Sequence, residues 1–179
     1  GQLYDLDLRL RPSGRNGPLV VTLETFNDYQ KNSAWIWEHM ALTRSRIVVA
    51  SPKFKSDIEN VINQNLTLKR DPETLLRDVY EMRGRLDKEF GTNNIWEVKQ
   101  VRGGLIDAEY ICQYLQLREG NQHPQVFAEK INKSFEELGK IGVLNEDEAR
   151  GLIYAHQFQL TIQGILRLCY QGEPKGDEF

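Results

Sequence analysis

Cysteine is scarce: Cys112 and Cys169 are the only two in 179 residues. That excludes a disulfide-stapled scaffold, which needs several bridges to replace a core. Both lie within apolar helical patterns and are expected to be buried thiols of a reducing compartment, so the expected location is cytoplasmic. Long hydrophobic runs are missing too. None approaches the ~20 residues of a membrane-spanning helix, and the N-terminus lacks a secretion-signal pattern. Neither sign of charge dominates, since 23 Lys and Arg stand against 26 Asp and Glu, a net charge of −3. The basic field that nucleic-acid binding requires is therefore absent. No internal repeat or low-complexity segment appears. His123 and His156 have no Cys, His or Asp companions at metal-ligand spacing, so no zinc site is expected.

What is present begins at residues 3–11, LYDLDLRLR, which alternate strictly. Tyr4, Leu6, Leu8 and Leu10 share one face of an extended strand; Asp5, Asp7, Arg9 and Arg11 share the other. Carboxylate oxygens suit Mg²⁺, and the planar fork of arginine suits phosphate. The same pattern also describes a solvated edge strand whose acids and bases pair with cross-strand neighbours. Spacing alone leaves both readings open. The next segment, PSGRNGP, reads as a loop, and Leu19–Leu23 as a second short strand. Two strands alone are marginal in water, so the hairpin is expected either to pack on helices or to belong to a larger sheet. The chain ends look cut, with Gly1 at the lip of a strand and a polar tail, QGEPKGDEF, at the other end.

From residue 25 the pattern is helical almost throughout. Thr25–Asn32 and Ala34–Arg44 are two short predicted helices. Ser51 and Asp71 are N-caps followed by Pro52 and Pro72 at the first helical position, opening helices to about Leu66 and Phe90. The second carries an expected apolar stripe of Leu75, Leu76, Val79, Met82, Leu86 and Phe90, with Glu73–Arg77 and Glu81–Arg85 paired one turn apart. Ile95–Gln100 is expected to be a short strand or extended linker. Helices follow at Leu105–Arg118 and about Gln125–Gly139. Asn145 and Glu148 form a capping box that opens a last helix to about Tyr170. The fold class is thus mainly α: a helical bundle preceded by a β-hairpin.

Three separated blocks carry a family resemblance. They are GQLYDLDLRLRPSG at 1–14, DYQKNSAWIWEHMALTRSR at 28–46 and VKQVRGGLIDAEYICQYLQLR at 98–118. In that order they resemble the glutamate–ammonia ligase (glutamine synthetase) adenylyltransferases. This family has one nucleotidyltransferase half that adds AMP to glutamine synthetase and one that removes it. Ser33-Ala34-Trp35, Trp37-Glu38-His39 and Asp107 resemble the half that adds it. The resemblance implies that the hairpin is the remnant of a nucleotidyltransferase sheet. The expected organisation is then 1–24 as the end of that domain, 25–170 as a helical domain and 171–179 as a flexible tail.

The family's fold places three carboxylates on neighbouring strands to hold two metal ions, which activate a hydroxyl and neutralise a triphosphate. By that resemblance Asp7 matches the third carboxylate, as Mg²⁺ ligand and possible general base, with Asp5 as a lesser metal candidate. Arg9 and Arg11 are candidates for holding the ATP phosphates, or for orienting Asp7. The first two carboxylates, which follow a Gly-Ser pair in the family, have no counterpart here. The fragment is therefore expected to be inactive alone.

Other residues invite functional readings. His39 beside Trp37 is expected to be a packed, hydrogen-bonded residue rather than a catalytic base. Gly103-Gly104 before a helix has the form of an anion site at a helix N-terminus. Asp107 and Glu109 lie about 200° apart on that helix and cannot share a ligand. Lys99, Gly103, Gly104, Asp107 and Glu109 are expected to form an inter-domain seam, with Arg44 or Arg46 as partners. Two classes of function follow. One is an enzyme fragment using ATP with Mg²⁺ on glutamine synthetase. The other is a non-catalytic helical module that docks glutamine synthetase or the PII signal protein. A related PII uridylyltransferase shares the domain plan but fits the Trp block and RLRPSG less well. Neither nucleic acid nor membrane is an expected partner.

Overall fold

A computed structural model describes residues 7, 8 and 10–169. Within them the chain forms seven α-helices: α1 Leu23–Asn32, α2 Ile36–Leu42, α3 Pro52–Leu66, α4 Pro72–Phe90, α5 Leu105–Glu119, α6 Ile131–Lys140 and α7 Glu146–Cys169. Single 3₁₀ turns lie at Gly14–Asn16 and Pro124–Val126. The helix starts follow the local chemistry. Ser51 Oγ accepts from the Phe54 N–H at 3.4 Å, and Asp71 Oδ2 accepts from the Thr74 N–H at 2.9 Å. Asn145 and Glu148 exchange bonds of 2.8 and 2.9 Å, the reciprocal box their spacing predicts. The start of α1 is two residues earlier than expected, because Thr22 Oγ1 accepts from the Thr25 N–H at 3.2 Å and caps it.

Helix α5 is the axis of the bundle. Leu105, Ile106, Ala108, Cys112, Gln113, Leu115, Gln116 and Leu117 are all buried; at 100° per residue they span about 200° of its circumference, far wider than the roughly 100° apolar stripe of a surface helix. On one side Leu117 joins a core of Met40, Leu42, Leu66, Leu75 and Val79 from α2, α3 and α4. On the other, Cys112 and Leu115 join Val126, Phe135 and Leu138 from the 3₁₀ turn and α6, with α7 closing over them. Cys112 is buried, and burial pushes its thiol up to about 12. Cys169 departs from expectation: it is exposed at the end of α7.

Four sequence readings are corrected. Among the described residues there is no strand, and Leu19–Thr22 makes no ladder. Leu19 and Val20 are 67% and 85% exposed; with no strand among the described residues to pair with, this apolar run stays extended and unpaired, and Leu23 is taken into α1. The first half of LYDLDLRLR, including Asp5, lies outside the described residues. The stretch Ile95–Gln100 is a series of turns rather than a strand. The single helix expected over Gln125–Gly139 is split, because buried Gln116 donates to the Val126 carbonyl at 2.9 Å and to Ser134 Oγ at 2.8 Å. A side chain from α5 thus takes a carbonyl that a continuous helix would have used. The stripe of α4 is also turned. Leu75, Val79 and Arg83 are its buried residues, while Leu76 and Phe90 stand about half exposed.

Candidate functional site

The hairpin segment and the Gly103 loop are organised differently. Asp7 is exposed. Arg11 folds back on its own loop, donating to the carbonyls of Leu8 at 2.6 Å, Gly17 at 3.2 Å and Arg15 at 3.4 Å. Its guanidinium therefore shapes the loop of residues 12–17. Arg9 and Asp5 fall outside the described residues. No group of three His, Cys, Asp or Glu among the described residues comes together to hold a metal. Asp7 would supply one carboxylate to Mg²⁺, so the residues in hand do not complete a two-metal site.

The loop before α5 uses its two glycines structurally. Gly103 has φ 77°, in the left-handed region. A Cβ at Gly104 would meet the Val98 carbonyl oxygen at 2.4 Å. With no side chain there, the Val98 and Lys99 carbonyls accept from Leu105 N–H at 2.9 Å and Ile106 N–H at 3.2 Å. The Gly103 N–H donates to Asp107 Oδ2 at 2.6 Å. These donors at the start of α5 are already satisfied within the chain, so an anion site there is set aside.

Asp107 also pairs with Arg83 Nε of α4. Arg83 Nη2 donates to the Gln100 carbonyl at 3.2 Å, and Nη1 reaches Asp87 Oδ1 at 3.3 Å. Arg102 Nη2 completes the chain of charges on Asp87 Oδ2 at 2.8 Å. Glu109 faces elsewhere and pairs with Arg44 at 2.8 Å, one of its two expected partners. Lys99 contributes its backbone carbonyl, and its side chain is exposed. The structure thus brings Gly103, Gly104, Asp107 and the Lys99 backbone together and sends Glu109 to a second contact. Arg83 escaped the sequence reading because a charge at an apolar position looks like a solvent-facing residue. Its spacing of four from Val79 and eight from Leu75 was the available signal.

His39 is held on both ring nitrogens, as expected of a packed residue. Nε2–H donates to the Gln30 carbonyl at 2.9 Å, and Nδ1 accepts from Arg70 Nη2 at 3.2 Å. Arg70 also donates to the carbonyls of Asn65, Leu66 and Leu68 at 2.8–2.9 Å, closing the C-terminal end of α3. Burial lowers its pKa to about 10. Burial lowers the pKa of His39 as well; the Gln30 hydrogen bond opposes that shift and the Arg70 charge adds to it.

Beside this cluster lies a cavity of about 510 Å³ between α1, α2, α4 and α5. Leu10 forms part of its wall, so it adjoins the segment that carries Asp7. Its size is that of small-molecule sites. Glu38, also on the wall, is fixed by the Tyr29 hydroxyl at 2.8 Å and the Trp35 N–H at 2.9 Å.

Residues 1–61 match the family model "Glutamate-ammonia ligase adenylyltransferase", and residues 74–173 match "GlnD PII-uridylyltransferase". Both are nucleotidyltransferase names. The chain is 44% identical over 169 residues to a protein of Bradyrhizobium diazoefficiens, covering 94% of the chain and 17% of that protein. It is 42% identical over 183 residues to one of Rhodopseudomonas palustris, covering 100% and 18%. A third, from Xanthobacter autotrophicus, is 38% identical over 169 residues, covering 94% and 17%. All three are called bifunctional glutamine synthetase adenylyltransferase/adenylyl-removing enzyme. The chain belongs to the glutamate–ammonia ligase adenylyltransferase family. It spans under a fifth of the length of these curated relatives.

Proposed function

We propose that this chain is part of an enzyme that transfers AMP from ATP to a tyrosine of glutamine synthetase, in its AMP-adding half. The observation that carries the reading is the likeness to bifunctional adenylyltransferases over 94–100% of the chain, the Asp7 segment included. In this reading Asp7 would join two further carboxylates to hold Mg²⁺, which would supply charge neutralisation at the triphosphate. Arg9 is the candidate for the phosphates, with Arg11, whose guanidinium donates to the carbonyls of its own loop, shaping the segment beside it. The helices of residues 25–170 form a separate domain packed beside the nucleotide site, and the Gly103–Asp107 loop with the Glu109–Arg44 pair forms the seam.

One carboxylate of three cannot hold two ions, so the chain by itself transfers no AMP. Radiolabelled ATP incubated with purified glutamine synthetase tests this. Labelling above background by the 179-residue chain would refute it. A second reading rests on the match of residues 74–173 to the PII-uridylyltransferase model. A helical unit shared between two such families is suited to docking a protein, either glutamine synthetase or the PII signal protein. Pull-down of each purified protein by the chain separates the two partners.

A further inference from the structure

Helix α7 is pinned to the bundle along one side. Ala149 and His156 are its buried residues, His156 Nδ1 meets Asn132 Oδ1 at 3.0 Å, and Gln159 Nε2 donates to the Gly103 carbonyl at 2.6 Å. The other side is apolar and open. Tyr154, Phe158, Thr161, Ile165 and Leu168 are all exposed, and at 100° per residue they lie about 100–180° round the helix from Ala149. Their steps of 4, 3, 4 and 3 residues are those of a coiled-coil seam. The Tyr154 and Phe158 rings are stacked, 6.1 Å between centroids and 8° between planes, so one end of the seam is a flat aromatic surface. Tyr154, Phe158, Ile165 and Leu168 are 69%, 53%, 54% and 89% exposed, which leaves roughly 600 Å² of side chain open to water.

We propose that this seam binds the same seam of a second copy of the chain, with the two helices antiparallel. Thr161 is its centre: Phe158 and Tyr154 stand three and seven residues before it, Ile165 and Leu168 four and seven after it. A two-fold axis at Thr161 lays each aromatic of one copy over an aliphatic of the other, so the face is self-complementary. The antiparallel order also sets the two helix dipoles head to tail. Charge favours a second copy over a different partner. No Asp, Glu, Lys or Arg occurs between Arg150 and Arg167, so two identical seams meet without repulsion. A different partner helix is selected by charges beside a seam, and Ala155, Gln157, Ile162 and Gly164 supply none. Two copies bring together about 1,200 Å², the lower end for a specific complex. The bundle already holds α7 in place, so little ordering cost opposes the contact.

Sedimentation equilibrium of the 179-residue chain should show a reversible dimer with a dissociation constant on the order of 10 μM. Phe158→Glu with Ile165→Glu places like charges across the axis and should weaken it at least about a hundredfold, with the helical circular dichroism unchanged because both positions are exposed. Phe158→Glu with Ile165→Lys sets Glu against Lys only if the helices are antiparallel, and should dimerise on the order of tenfold more tightly than the Glu/Glu variant. Leu76→Lys, an equally exposed apolar position on α4, should leave the dimer intact. Leu19 and Val20 are exposed as well, so the variants, rather than mass alone, assign the surface. A wild-type chain that stays monomeric far above that concentration would overturn the proposal, as would a dimer that survives the Glu/Glu change. Equal loss in the Glu/Glu and Glu/Lys variants would overturn the antiparallel pairing. A monomer whose Tyr154 and Phe158 NMR signals shift only when glutamine synthetase is added would give the face to a different protein.

Discussion

His39 accepts a hydrogen bond from the Arg70 guanidinium at 3.2 Å, and that geometry requires the imidazole to be neutral. A proton on Nδ1 would set two cations face to face, with the Gln30 carbonyl already taken by Nε2–H. One ring nitrogen thus reaches the last turn of α1 and the other reaches the guanidinium that closes α3.

Stability should therefore depend on pH below the ordinary imidazole value of 6.5. The unfolded His39 binds its proton near that value, and the folded one binds it at lower pH. Between the two the unfolded state carries more protons, so stability falls as pH drops through this window and is flat above it. His156, also lowered by burial, adds a slope of the same sign. His39→Gln should reduce the dependence of the melting temperature between pH 7 and 5 without abolishing it. An unchanged slope would show that the imidazole titrates normally.

Arg83 and Asp107 should behave as a pair. Arg83 is 7% exposed at its side chain and Asp107 20%. Asp107→Ala strands a buried guanidinium and should cost about 3 kcal/mol, Asp87 making up part of the loss. Arg83→Met with Asp107→Leu replaces both charges by apolar volume and should cost less than Asp107→Ala alone. Urea denaturation of the single and double variants measures both. A double variant as unstable as the single would show that the charges, rather than the space they fill, hold α4 to α5.

In the intact enzyme, Asp7→Asn should abolish AMP addition and leave the melting temperature unchanged. Asp7 is exposed, so little packing rests on it, whereas the charge is what a metal requires. Near-normal turnover in the Asn variant would move the role to Asp5.

Residues 10–22 should exchange their amide hydrogens faster than α4, Pro72–Phe90. They contain one 3₁₀ turn and no ladder, while α4 buries Leu75, Val79 and Arg83 against two neighbours. Light scattering on the same sample distinguishes a monomer from chains paired through this segment. Equal protection in a monomer would mean that the segment belongs to the bundle core.

Local chemistry in the sequence determined where most helices begin. Ser51-Pro52, Asp71-Pro72 and the Asn145/Glu148 box act within four residues of themselves, so no distant partner could alter them. The family was legible for a similar reason, being written in contiguous blocks. The tertiary structure decided what depends on residues far apart. Gln116 interrupts a helix ten residues away by taking the Val126 carbonyl. Arg83 lies in the core because Asp107, twenty-four residues on, meets its charge there. Leu19 and Val20 show the converse, since a β-prone run stays exposed where no strand among the described residues pairs with it.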